Sequence, residues 1–206
     1  MMINRSTRRR LAAAVAVLGL SAGLTACGDN TDDTSTSQAS STETAANGDV
    51  FNKADVSFAT DMIPHHAQAI EMVTLTEGRQ LDPAVQQLAD EIRNAQSPEV
   101  ETMTGWLTSW GQEVPGTTSA DSGNMSEMGD MPGMMSAEDM DALKNAPDDE
   151  FQTMWLEMMK QHHEGAVEMA KTEQENGAFP DAIKLADSIV TTQEAEIKEI
   201  DQLLGS

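Results

Sequence analysis

Apolar residues recur at helical spacing over two long stretches of the chain. In the first, Phe51, Phe58, Met62, His65, Ala69 and Met72 fall on one stripe. Gly78 breaks that stripe, and Asp82-Pro83 has the form of a helix start. Val85, Leu88, Ala89, Ile92, Met103, Trp106, Leu107 and Trp110 make a second stripe, which Gly111 closes. The second stretch repeats the plan. Phe151, Met154, Trp155, Met158, His162 and Met169 precede a break at Asn176-Gly177, and Ile183, Leu185, Ala186, Ile189, Ile197, Ile200 and Leu204 follow it. No stretch alternates convincingly as a strand. The pattern predicts an all-α fold: a four-helix bundle of two helical hairpins, 50–111 and 148–204, joined by a Met-rich crossover over 112–147. Pro64 and Pro98 fall inside predicted helices, where each is expected to kink or restart its helix.

The two hairpins are one sequence written twice, at a constant offset of 97 residues (Met62 to Met159). Met62, His65, His66, Ala69, Glu71 and Met72 map onto Met159, His162, His163, Ala166, Glu168 and Met169. Downstream, Pro83, Leu88, Ala89, Ile92, Gln96 and Glu99 map onto Pro180, Leu185, Ala186, Ile189, Gln193 and Glu196. Gln161 and Ala195 stand opposite the two prolines, so the halves are not perfectly symmetric.

The N-terminus reads as an address. Arg5, Arg8, Arg9 and Arg10 precede a short apolar run from Leu11 to Leu24, which ends in Leu24-Thr25-Ala26-Cys27. The run is too short for a stable membrane span, and Cys27 sits where a bacterial lipobox places its lipidated Cys. Residues 1–26 are thus expected to be a lipoprotein signal peptide, exported by the general or the twin-arginine route. Residues 27–49 are expected to be a disordered tether to the outer face of a bacterial membrane, and 50–206 the bundle. The chain carries a net charge of −23, and losing the four Arg of the signal takes it to −23 − 4 = −27. That charge argues against a nucleic-acid partner, which needs a basic footprint, and favours cations.

Cys27 is the single Cys, so once it is lipidated no thiolate or disulfide remains. A soft metal ligand must then be Met sulfur and a borderline one His nitrogen. All 4 His of the chain lie in the two repeated motifs. On a helix Met62, His65, His66 and Met72 share roughly a third of the circumference, with His65 and His162 at core positions and His66 and His163 at the edge. Matching levels in antiparallel hairpins puts Gln96 beside His65 and Gln193 beside His162, where an amide could fix a ring tautomer. Ferritin-like di-iron bundles use Glu-x-x-His; here Met62 and Met159 replace the Glu, which favours Cu(I) over iron. The expected metal ligands are Met62, His65, His66, Met72, Met159, His162, His163 and Met169. Met125, Met128, Met131, Met134 and Met135 of the crossover, with Met140 beyond them, are expected to make weaker capture sites.

Met62-Ile63-Pro64-His65-His66, Trp106-Leu107-x-x-Trp110-Gly111, Pro132-Gly133-Met134-Met135 and His162-His163-Glu164-Gly165-Ala166 resemble the bacterial Domain of Unknown Function 305 family. The resemblance covers about residues 50–204. It implies a ferritin-like helical bundle, usually exported, with copper binding in some members. The expected function is non-enzymatic, envelope-anchored binding of a copper-like cation, with Cu(I) as the cargo. A helical interaction module of unknown protein partner and a di-metal oxidoreductase are the alternatives. No catalytic constellation of Ser, Cys or Lys stands out.

Overall fold

The computed structural model describes residues 41–116 and 131–205. It is an all-α bundle with one minimal sheet. Strands β1 (Glu43–Thr44) and β2 (Val50–Phe51) pair antiparallel, with Glu43 opposite Phe51. Helices α1 (Lys53–Thr74) and α2 (Pro83–Ser109) form the first hairpin. A short helix α3 (Ala137–Asn145) precedes the second hairpin, α4 (Asp148–Asn176) and α5 (Pro180–Leu204). α1 packs on α2, α4 on α5, and α1 on α4, whereas α2 and α5 meet sparsely.

Local chemistry sets the helix starts. Asn52 accepts from the amides of Ala54 and Asp55 while Asp55 accepts from the Asn52 amide, a reciprocal cap for α1. α2 and α5 both open on proline, whose missing N–H costs nothing in a first turn. Arg79, in the α1–α2 turn, donates to the carbonyls of Lys144 and Ala146 and lies over the Phe151 ring, so it ties the first hairpin to the end of α3.

The core divides into two apolar clusters. One holds Met72, Leu88, Ile92, Trp155, Met159 and Ile200; the other holds Phe58, Met62, Met103, Leu107, Ala166 and Ile189. On every long helix the residues between those clusters are polar: His65 and His66 on α1, Gln96 and Glu99 on α2, His162 and His163 on α4, Gln193 and Glu196 on α5. The bundle therefore carries one buried polar layer at its waist.

Three expectations are corrected. Residues 43–49 are not a disordered tether, and Val50–Phe51 are not helical. Instead, both belong to the β1–β2 ladder, because Phe51 is buried against Trp110 at 4.6 Å and Asp49 accepts from the Trp110 indole. Neither proline interrupts its helix. At Pro98 the missing bond belongs to the carbonyl of Asn94, and both residues are exposed, so water can satisfy it. The crossover is not bare loop, since α3 and the packed segment before it occupy its second half. The signal peptide and Cys27 lie outside the described residues.

Candidate metal centre

All four imidazoles are fully buried, each 0% exposed. His66 Nε2 is hydrogen-bonded to Glu99 at 2.8 Å, and His163 Nε2 to Glu196 at 2.8 Å, across the same separation of 33 residues. The repeat thus builds the same His–carboxylate pair twice. The rings of His65 and His162 meet where α1 crosses α4, 3.7 Å between centroids and tilted by 37°.

The halves differ in what covers them. Residues 131–135 form a strap laid across α1 and α4. Its Pro132 carbonyl accepts from His65 Nε2 at 3.0 Å, and the Gln68 amide brackets both the N–H and the carbonyl of Met135, at 2.7 and 2.9 Å. A Cβ on Gly165 would stand 2.0 Å from the Pro132 oxygen, so the strap rests directly on helix backbone. Gly133, in the left-handed region at φ 76°, makes the turn that brings it there.

Burial pushes the His65 imidazole down to about 3, and the neighbouring His66 adds to this. Burial, then the adjacent His65, holds His162 well below its ordinary value. Both rings are neutral at physiological pH and have lone pairs to offer. Nδ1 of His65, His66 and His163, and both nitrogens of His162, are buried without a hydrogen-bond partner. Such atoms are costly unless something else binds them. A cation with nitrogen and sulfur ligands fits that donor set. Met62 and Met159, one turn before the first His of each half, are fully buried beside it.

The other expected ligands are placed as follows. Met72 and Met169 lie two turns beyond the first His of their halves, about 10 Å along the helix axis, within or against the apolar clusters. Met131 is half-buried. Met134 and Met135, expected to make weaker capture sites, are buried within the strap at 9% and 6% exposure. Met125 and Met128 lie outside the described residues. Gln96 and Gln193 are in the layer but do not hold the His rings: the Gln96 amide and the Gln193 oxygen are unpartnered. The carboxylates one turn further, Glu99 and Glu196, take that role, because Nε2 of the second His of each pair points to them. Their place in the repeat, three residues after each Gln, was the signal available. Among the described residues no three His, Cys, Asp or Glu side chains converge to hold a metal ion.

Residues 55–204 match the family model described as Domain of unknown function (DUF305). No curated protein matches significantly. A DUF305 fragment from Deinococcus radiodurans has a similar solved structure, 29% identical with TM-score 0.67, over 79% of this chain and 99% of that one. A DUF305 protein from Streptomyces coelicolor is 35% identical with TM-score 0.64, over 74% and 92%. CopM in its Cu(II)-bound form is 32% identical with TM-score 0.62, over 73% and 95%. CopM is also similar in its Cu(I)- and Ag-bound forms, with TM-scores of 0.59 and 0.58.

Proposed function

This chain belongs to the DUF305 family, and from that premise we propose that it is an exported, lipid-anchored protein that binds copper-like soft cations as cargo. Sequestration or delivery at the cell envelope is the corresponding role. The observation that carries this reading is the buried layer of four His, with five ring nitrogens lacking partners and flanked by Met62 and Met159. Imidazole with thioether is a donor set for Cu(I) or Ag(I), ions content with few ligands, more than for iron or manganese. The similarity to CopM, which has been captured with Cu(I), Cu(II) and Ag, supports the same ion class. Glu99 and Glu196 stand as the groups that orient two of the ligand rings. Cys27 would carry the lipid.

Anaerobic titration of the mature domain with Cu(I) or Ag(I), followed by metal analysis after desalting, tests this. Tight binding is expected in the parent and lost when all four His are replaced by Gln, with helix content checked by circular dichroism. A folded four-His variant that keeps the tightest site would refute the reading. The layer would then be a structural feature of the bundle.

A further inference from the structure

The polar layer is ordered atom by atom. Nε2 of His66 faces the Glu99 carboxylate, Nε2 of His163 faces the Glu196 carboxylate, and Nε2 of His65 faces the Pro132 carbonyl. Each of these oxygens can only accept, so the nitrogen facing it carries the proton. In a neutral imidazole the other nitrogen is then a bare lone pair. In all three rings that other nitrogen, Nδ1, is buried and meets no donor. The three acceptors come from three different elements, α2, α5 and the strap, yet each selects the same nitrogen.

We infer that Nδ1 is the ligand atom of His65, His66 and His163, and that Glu99, Glu196 and the Pro132 carbonyl are the positioning groups that leave it bare. The inference rests on the metal-binding reading above and specifies its chemistry: the cation binds at the ring nitrogen opposite the one each oxygen holds. His162 is the exception. Its ring has neither a carboxylate nor the strap carbonyl as partner, and the backbone of His65 is the group beside it. The duplicated halves thereby differ in one ring: the strap carbonyl holds His65, and no strap carbonyl holds His162.

The test is a multiple-bond nitrogen–proton correlation spectrum of the domain at pH 7.5, without metal and then with Ag(I) as the probe. Without metal, His65, His66 and His163 are expected as the Nε2-protonated neutral tautomer. With Ag(I), their Nδ1 resonances should move while Nε2 keeps its proton. Glu196→Leu should spread His163 over both tautomers and weaken Ag(I) binding by roughly 10- to 100-fold, the usual cost of losing a group that orients a ligand. Glu196→Gln, which keeps an oxygen acceptor, should restore the tautomer. Nδ1-protonated or doubly protonated rings in the metal-free spectrum would overturn the inference, as would Ag(I) moving Nε2; both leave the metal-binding reading standing. If Ag(I) moves no His nitrogen and metal analysis finds none bound, both fall. Should the Leu variant not fold, the parent spectra decide alone.

Discussion

Glu173 is a buried acid that the metal centre does not use. It is 1% exposed on α4, and its carboxyl lies against that of Asp55. Burial, and then the adjoining Asp55, pushes its carboxyl up to about 9. Asp55 is occupied differently: its oxygens accept from the amides of Asn52, Ala178 and Phe179, which ties the α4–α5 turn to the start of α1. The folded chain thus keeps a proton on Glu173 that the unfolded chain releases near 4.5. Stability is unaffected by this group below that pH and declines as pH rises from there towards about 9. Glu173→Gln should therefore be more stable than the parent at pH 8, with the gap closing towards pH 4.5, as read from urea midpoints at several pH values. A gap independent of pH would show that Glu173 is ionised in the fold. Nothing in the sequence marks this residue. Its neighbour Asp55 is over a hundred positions away, and one more Glu among 35 acids reads as surface. The His and Met residues were legible for the opposite reason: they are scarce or misplaced on an apolar stripe, and they recur at one offset.

Among the elements, the helices were legible and the strap was not. Each long helix buries a stripe that repeats every three to four residues, and periodicity reports burial directly. The strap has no period. Its Gly, Pro and Met are held by Gln68, His65 and Gly165, contacts made at a distance in sequence that no local pattern encodes. Gly165→Ala probes it. Helix propensity alone favours Ala by about 1 kcal/mol. The new methyl, however, would lie 2.0 Å from a backbone carbonyl that cannot swing aside as a side chain can. Overpacking of this kind costs about 1–3 kcal/mol, so a net loss of stability is expected, with faster amide exchange at Met135 as the strap lifts. Gly105→Ala is the contrast. It sits exposed in α2 with nothing within 4 Å of the added carbon, and should gain up to about 1 kcal/mol. If Gly165→Ala also stabilises and Met135 exchange is unchanged, the strap is not seated on α4 as described.

For the molecule as a whole, charge and anchoring belong to one argument. The chain carries −23, and no described helix is long and apolar enough to cross a membrane. An acidic body of this kind gains nothing from an anionic bilayer surface and is repelled at low salt. Under the anchoring proposal the attachment would be a covalent lipid, and Cys27, outside the described residues, is the side chain proposed to carry it. One acyl group alone binds weakly, so a stable anchor requires the multiple chains of a bacterial lipoprotein. The expected behaviour is specific. The parent should sediment with membranes, resist a high-salt wash and leave only in detergent, while Cys27→Ala should appear in the soluble or extracellular fraction with its helix content unchanged. Cys27→Ala that still sediments with membranes after a salt wash would mean that another surface of the protein holds it there, and the anchoring proposal would fail.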